Sequence, residues 1–318
     1  MRALVLLIMM ASASASAQPA AIATPADRDQ ALKIAAERMS AGRTDDAIRV
    51  LRAAADRFQS VGLLLQLARI QASGRDAAGA LDSLRHALAL APNSEEVLNA
   101  FAQVSLSAKL PLPAISTFEA LTRLSPGDAQ YHYLLGVALM QIGDMSTAVD
   151  ALKAAEQIEP ERRLTLLALG LALNNRKAYA DARTFLLRSL ELEPDDAEAV
   201  AALAESEEGL GDAVGAESHA RRALARAGTN ATAHLVLGLL SMDARQYAGA
   251  RAAFEKVIAV DPDSTKALYQ LSLACARLGD EACAQKNLEL YKQKLHETEE
   301  RVLQLRTQTG LARGETRR

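Results

Sequence analysis

One spacing of 34 residues recurs through most of this 318-residue sequence. Between Leu134 and Pro160, the residues Gly136, Ala148 and Pro160 each return at multiples of that spacing. The alanine position forms the uninterrupted series Ala80, Ala114, Ala148, Ala182, Ala216, Ala250 and Ala284. The proline position recurs as Pro92, Pro126, Pro160, Pro194 and Pro262. A fixed period of this length indicates an array of similar units, each of which needs its neighbours to bury its apolar face.

The residues within one period indicate two helices joined by a short turn. Apolar residues recur at helical spacing until a Gly-Asp pair interrupts them, and proline closes the period. The pairs are Gly143-Asp144, Gly211-Asp212 and Gly279-Asp280. Glycine can end a helix in the left-handed conformation, and aspartate can cap the helix that follows. Lys177 and Arg245 replace the glycine in two periods, which predicts turns with more strain.

Gly136 lies inside an apolar helical pattern, where glycine costs about 1 kcal/mol relative to alanine. Other periods also have a small residue there, namely Ala68, Ala102, Gly170, Ala204, Gly238 and Ser272. We expect the missing side chain to let two helices cross closely. Later in each period comes a packing residue, one of Leu84, Phe118, Leu152, Leu186, Ala220, Phe254 and Leu288. Ala220 is the smallest of these and predicts the weakest point of the array.

With these residues in these places, the sequence resembles the tetratricopeptide repeat family, in the form found in exported bacterial proteins. The resemblance implies an all-α fold, a right-handed α-α superhelix (solenoid) of about eight 34-residue helix-turn-helix repeats. It places units near 28–60, 61–94, 95–128, 129–162, 163–196, 197–230, 231–264 and 265–298. A long last helix, roughly Glu281 to Arg306, would cap the array, so that 299–318 would hold its end and a disordered tail.

The first residues have the features of a secretory signal peptide. Arg2 supplies a positive charge, residues 3–10 form a short apolar core, and Ala15-Ser16-Ala17 is a small-x-small cleavage motif. We expect residues 1–17 to be removed and residues 18–27 to form a disordered leader. The mature protein would then be exported to the bacterial periplasm with no integral membrane segment. The alternative is an uncleaved N-terminal anchor.

The sequence contains no motif for catalysis, a cofactor or a metal. Its five histidines do not have metal-ligand spacing, and His132 and His234 fall on a packing position of the repeat. No Gly-rich phosphate loop and no nucleophile elbow are present. The formal net charge is only −3, and no basic stripe with interleaved aromatic residues suggests nucleic acid. We therefore expect a protein that is not an enzyme and that binds no cofactor, metal or nucleic acid.

Cys275 and Cys283 are the only two cysteines, and they flank the Gly279-Asp280 turn. Two cysteines across one turn of an exported protein would form a disulfide. The alternative is that both are small, buried apolar residues, a common role for cysteine.

In the family that this chain resembles, the first helix of each unit lines the inner wall of the superhelix. The residues that we expect to form a partner-binding groove there are Tyr133, Val137, Met140, Leu167, Leu171, Asn174, Asn175, Leu239, Met242, Tyr269 and Leu273. A wall that faced only solvent could be polar throughout, so this apolar surface indicates binding of a protein or peptide segment. Asn174 and Asn175 would hydrogen-bond its backbone. The alternative is that some of the leucines pack between neighbouring first helices.

The unit of residues 197–230 adds carboxylates to the same wall. Glu198, Glu205 and Glu208 fall on its inner face, and Glu207 replaces a packing residue. Together they form either an acidic patch for a basic partner segment or an ordinary solvated helix face.

These observations predict a non-enzymatic scaffold or adaptor in the cell envelope, with a partner segment bound in the concave groove. The alternative function is the handling of a carbohydrate polymer during polysaccharide export or assembly. A sugar-binding wall usually needs stacked aromatic rings, and Tyr133 and Tyr269 would have to supply them here.

Overall fold

The computed structural model describes residues 26–309, and every regular element in this range is an α-helix. The predicted signal peptide (1–17), residues 18–25 of the predicted leader and the tail after residue 309 lie outside the described residues. The sixteen helices of the described range form eight consecutive pairs, which confirms the predicted all-α class and the number of repeats. The chain divides at Pro92 into two compact units.

The first unit, Met1–Pro92, contains four helices in its described part. They are α1 (Arg28–Ser40), α2 (Thr44–Phe58), α3 (Val61–Ser73) and α4 (Ala77–Leu90). Its core consists of aliphatic side chains and alanines, and Leu51, Leu63 and Leu84 are among its fully buried residues.

The second unit, Asn93–Arg318, contains the remaining helices. They are α5 (Glu95–Ser107), α6 (Pro111–Leu124), α7 (Ala129–Gln141), α8 (Met145–Ile158), α9 (Arg163–Asn175), α10 (Tyr179–Leu192), α11 (Ala197–Gly209), α12 (Ala213–Arg226), α13 (Ala231–Asp243), α14 (Tyr247–Val260), α15 (Thr265–Arg277) and α16 (Glu281–Thr309). Odd-numbered helices are the first helices of the repeats, and even-numbered helices are the second. Each first helix packs against the second helix of its own pair and, from α7 onward, against the first helix of the next pair.

The crossing of two helices within a pair explains the glycines inside the helices. A Cβ atom added to Gly136 would lie 2.5 Å from Leu152 Cγ, and one added to Gly170 would lie 2.4 Å from Leu186 Cγ. In the same way, a Cβ atom on Gly238 would lie 2.4 Å from the Phe254 ring. Each large side chain of the second helix therefore occupies the space that the glycine leaves open. The predicted close crossing at Gly136 is confirmed.

The turn within each pair passes through one residue with a left-handed backbone. This residue is glycine in four pairs (Gly42, Gly143, Gly211 and Gly279) and a long cationic residue in the other four (Arg75, Lys109, Lys177 and Arg245). Lys177 has a φ of 60° and Arg245 a φ of 58°. Residues with a Cβ atom rarely adopt this left-handed backbone conformation. The strain expected at these two turns is therefore present in the backbone, and Arg75 and Lys109 share it.

Aspartates begin many of the helices by accepting hydrogen bonds from free backbone N–H groups. Asp144 Oδ1 accepts from Thr147 N at 3.2 Å, and Asp212 Oδ1 accepts from Gly215 N at 3.0 Å. Asp196 caps α11 by accepting from the N–H groups of Glu198 and Ala199. These contacts satisfy donors that have no partner within the helix, which fixes where each helix begins.

Candidate binding wall on the first helices

The candidate site is the solvent-facing side of the first helices α7, α9, α11, α13 and α15, which we call the first-helix wall. Tyr133, Val137 and Met140 lie on α7, where each is half-buried. Leu171 on α9 and Leu239 and Met242 on α13 are also half-buried, and Asn175 is exposed at the end of α9. On α15, Tyr269 and Leu273 expose 41% and 36% of their surface. The wall therefore combines accessible apolar side chains with an exposed amide.

Two of the residues expected in the groove are instead buried, and the expectation was wrong for both. Leu167 is only 6% exposed and belongs to the main apolar core of the second unit, together with Leu169, Leu173 and Leu203. It is buried because α9 packs against both α7 and α11. The alternative interpretation, leucine packing between neighbouring first helices, is correct at this position.

Asn174 is the second buried residue, with 4% of its surface exposed. Its amide nitrogen donates to the Ala202 carbonyl oxygen at 2.7 Å, and its amide oxygen accepts from the Ser206 hydroxyl at 2.7 Å. Both partners lie on α11, so this side chain joins two neighbouring repeats and is not available to a ligand. The exposed Asn175 keeps its amide available to a bound segment.

The remaining apolar residues of the wall are continuous with the core beneath them. Tyr133, Met140 and Leu171 pack against the main core cluster, and Leu239 and Met242 pack against a second cluster around Phe254 and Cys275. Because each side chain is anchored at its base, it offers a fixed apolar surface that needs little ordering when a partner binds.

The carboxylates of the wall lie on α11 and at the end of α13, and a lysine of α15 pairs with one of them. Glu205 on α11 forms a long ion pair with Lys266 on α15, with 3.4 Å between the oxygen and Nζ. Burial raises the pKa of the Glu208 carboxyl above its usual range, and Lys266 opposes this rise. Asp243 at the end of α13 and Glu205 add to the rise because they carry like charge.

At the α7–α9 end of the wall, two arginines at the start of α9 have partners within the chain. The Arg162 guanidinium lies 5.1 Å from the centre of the Tyr133 ring, close enough for a cation–π contact. Arg163 forms ion pairs with Asp196 and, at 2.8 Å, with Glu193. Burial raises the pKa of the Tyr133 hydroxyl, an effect that Arg162 and Arg163 oppose and Glu198 reinforces. The arginines here are therefore paired within the chain, whereas three carboxylates share one lysine at the α11–α15 end.

One partly buried polar pair was not foreseen from the sequence. The imidazole Nδ1 of His219 on α12 lies 2.7 Å from a carboxylate oxygen of Glu207 on α11. Glu207 was recognised as a replacement for a packing residue, but the histidine twelve residues later is its partner. A polar residue at a packing position of the first helix, followed by a histidine on the second helix of the same pair, is the sequence signal for this contact.

Cys275 on α15 and Cys283 on α16 are joined by a disulfide, with their Cα atoms 5.8 Å apart. The bond links the two helices of the last pair across the Gly279 turn.

Two other histidines have structural contacts: Nε2 of His132 lies 3.0 Å from the Pro126 carbonyl oxygen, and Nε2 of His234 lies 3.3 Å from that of Gly228. Within residues 26–309, no cluster of three His, Cys, Asp or Glu residues could hold a metal ion.

The helix pairs and their crossings define a class of protein, the α-helical repeat proteins built from two-helix units. A family model described as tetratricopeptide repeat matches residues 32–95, 114–163 and 235–285, more than half of the chain. The chain belongs to the tetratricopeptide repeat family, whose members generally act as protein-interaction scaffolds. A comparison with curated proteins found no match.

Solved structures of the same fold include a tetratricopeptide repeat protein from Parabacteroides merdae. It has a TM-score of 0.60 and 16% identity over 77% of this chain and 98% of that one. PilW, described as a widely conserved type IV pilus biogenesis factor, has a TM-score of 0.53 and 19% identity over 65% and 96%. YrrB, described as having an unusual peptide-binding site, has a TM-score of 0.50 and 17% identity over 57% and 95%. Identities this low support a shared fold alone.

No helix within the described residues is long and apolar enough to cross a membrane.

Proposed function

We propose that this protein is a non-catalytic scaffold that binds a protein segment along its first-helix wall. The observation that carries the proposal is the set of accessible apolar side chains on α7 and α9 and again on α13 and α15, where Tyr269 and Leu273 expose 41% and 36% of their surface. An isolated exposed leucine needs no explanation, but apolar residues aligned across adjacent helices provide a surface that an extended or helical segment can cover. The exposed amide of Asn175 supplies a hydrogen-bonding group beside them.

The proposed location is the bacterial periplasm, and it rests on the N-terminal sequence. Arg2, the apolar run after it and the Ala-Ser-Ala motif ending at Ala17 support cleavage before Gln18. The fold shared with PilW is compatible with a role in the cell envelope. N-terminal sequencing of the protein from fractionated cells tests this location. A protein that retains Met1 in the cytoplasmic fraction would contradict it.

The carbohydrate-handling alternative has less support because both aromatic rings of the wall already have a neighbour. Arg162 lies over the Tyr133 ring, and the Tyr269 ring lies 5.3 Å from the ring of Tyr291. A sugar needs a free ring face on which to stack, and these contacts occupy part of what the two tyrosines offer.

The binding proposal can be tested with two pairs of leucine substitutions. Leu239→Glu with Leu273→Glu changes the wall, whereas Leu187→Glu with Leu192→Glu changes two leucines on α10 that are 42% and 46% exposed. We expect both variants to remain folded at the assay temperature, with the wall variant melting at the lower temperature because Leu239 packs against the core cluster around Phe254. Only the wall variant should lose the partners that the wild type captures by crosslinking in envelope extracts. Equal capture by a folded wall variant would contradict the proposal.

A further inference from the structure

The acidic end of the first-helix wall has features that select a particular kind of segment. We define the acidic–apolar patch as the carboxylates of Glu205, Glu208 and Asp243 together with the apolar side chains of Leu239 and Met242. These residues lie on α11 and α13, beside the first turn of α15. All but Asp243 are half-buried, so a segment lying on the patch would contact charge and apolar surface at once.

The backbone strengthens the negative potential of this patch. Glu208 lies in the last turn of α11, and Asp243 is the last residue of α13. The C-terminal end of a helix has a partial negative charge, so a carboxylate placed there adds to that charge and does not offset it. The patch therefore attracts cations through both its side chains and its helix ends.

The chain already places one cation at this patch. Lys266 belongs to the repeat two pairs after that of α11, and its Nζ lies 3.4 Å from a carboxylate oxygen of Glu205. One ammonium group cannot neutralise three carboxylates, and Lys266 is the one cationic side chain within residues 26–309 that forms an ion pair with Glu205. An ammonium group therefore fits this site, and Glu208 and Asp243 can accept further cationic groups.

The spacing of the carboxylates favours cationic side chains over a metal ion. Within residues 26–309, these groups do not converge closely enough to form a metal-binding cluster. Two or more cationic side chains distributed along one segment match such separated charges. Three adjacent first helices span roughly 20 Å from axis to axis, which an extended segment of about six residues can cross.

We propose that the acidic–apolar patch binds a segment in which Lys or Arg residues are interspersed with aliphatic residues. The cationic groups would pair with Glu205, Glu208 and Asp243, and the aliphatic groups would cover Leu239 and Met242. This inference rests on the proposed function of the wall as a segment-binding surface. It adds the chemistry of the segment, which the family resemblance does not supply.

The test uses labelled octapeptides as probes and measures fluorescence anisotropy with the purified full chain. The first probe alternates Lys and Leu, the second alternates Glu and Leu, and the third alternates Lys and Ser. We expect the Lys–Leu probe to bind about tenfold more tightly than either of the others, with an affinity that falls as salt is added. Equal binding of the Glu–Leu probe would overturn the charge selection, and equal binding of the Lys–Ser probe would overturn the apolar contact.

Matched variants locate the binding site. Glu205→Gln, Glu208→Gln and Asp243→Asn together should weaken binding of the Lys–Leu probe about tenfold. The control combines Glu119→Gln, Asp150→Asn and Glu191→Gln, which removes the same charge from exposed positions on second helices. The control should bind as the wild type does, and equal weakening by both sets of changes would overturn the proposal.

A variant with the opposite expected effect keeps the test valid if the triple change impairs folding. Lys266→Gln removes the internal cation, so it should strengthen binding of the Lys–Leu probe about threefold. Unchanged or weaker binding would overturn the proposal. Failure here is distinct from failure of the proposed function: if Leu239→Glu with Leu273→Glu still abolishes partner capture, the wall binds a segment of another chemistry.

Discussion

The repeat of residues 163–196 and the repeat of residues 197–230 have the same backbone plan but different cores. The first buries large aliphatic side chains, among them Leu166, Leu169, Leu173 and Leu186. In the second, the buried residues of α12 are all alanines, Ala216, Ala220 and Ala223. Each buried methylene group contributes about 0.8 kcal/mol, so α12 is held much less strongly than α10. The repeat plan therefore fixes geometry, while side-chain size sets local stability.

The two repeats also differ in where their buried polar groups find partners. We call residues 163–196 the leucine-rich repeat and residues 197–230 the alanine-rich repeat. The leucine-rich repeat is joined to the alanine-rich repeat by Asn174, whose amide has both partners on α11. The alanine-rich repeat depends on a contact within itself, between Glu207 and His219. The weaker repeat also contains Glu205 and Glu208 of the acidic–apolar patch, so a ligand bound there would stabilise the part of the array that has the least core.

The largest expected effect comes from making the leucine-rich repeat resemble its neighbour. Leu186 is fully buried against Gly170, so Leu186→Ala should destabilise the protein by about 2–5 kcal/mol. Guanidinium unfolding would measure the loss, and hydrogen exchange should locate it in α9 and α10. An effect below about 1 kcal/mol would show that Gly170 and Leu186 do not form a close crossing.

The reverse change should not repair the alanine-rich repeat. Ala220 is fully buried and belongs to the same core cluster as Ala204, the small residue of the same pair. Ala220→Leu should therefore overpack the crossing and cost about 1–3 kcal/mol in the same unfolding experiment. A stabilising effect would mean that the repeat has an unfilled space. Its lower stability would then come from incomplete packing and not from the small size of its side chains.

The Glu207–His219 contact is the next target. His219→Ala should cost about 1–2 kcal/mol, because it leaves a buried carboxylate without its partner. His296→Ala is the matched control: His296 pairs with Glu300 at 3.3 Å on an exposed part of α16, and its loss should cost less than about 0.5 kcal/mol. Adding Glu207→Leu to His219→Ala should recover stability. Equal melting temperatures for the two single variants would contradict the structural role of this contact.

The sequence was sufficient to predict the helix pairs and the crossing at Gly136, because the period and the small residues that recur with it are visible in the sequence. It could not distinguish buried from accessible residues on the first helices. Leu167 and Tyr269 occupy equivalent places in their repeats, yet Leu167 is buried against neighbouring first helices and Tyr269 is 41% exposed. Whether such a residue is buried depends on how closely its helix packs against the neighbouring first helices and on the length of its side chain. The sequence of a single repeat does not determine that packing.

Asn174 illustrates the same limit for polar residues. Its equivalents in other repeats are Met140, Glu208 and Met242, none of which is buried. Asn174 is buried because Ser206 and the Ala202 carbonyl oxygen on the next helix satisfy its amide. This compatibility exists between one particular pair of repeats and does not recur, so the 34-residue period carries no sign of it. The contact between Glu207 and His219 was missed for the same reason.

The smallest predicted effect compares the turns of the same two repeats. The leucine-rich repeat turns through Lys177 with a φ of 60°, whereas the alanine-rich repeat turns through Gly211 with a φ of 82°. A left-handed backbone costs a residue with a Cβ atom about 1 kcal/mol or more, while glycine adopts it freely but loses more conformational entropy on folding. Lys177→Gly should therefore stabilise the protein by about 0.5 kcal/mol, the difference between these two effects. Gly211→Lys should destabilise it by a similar or larger amount, and the two substitutions together should nearly cancel, because the turns belong to different repeats. Paired guanidinium unfolding curves would measure both changes.

If Lys177→Gly lowered the stability, the lysine side chain would have to make a favourable contact that outweighs the backbone strain. The four cationic turns would then be a stabilising feature of this array.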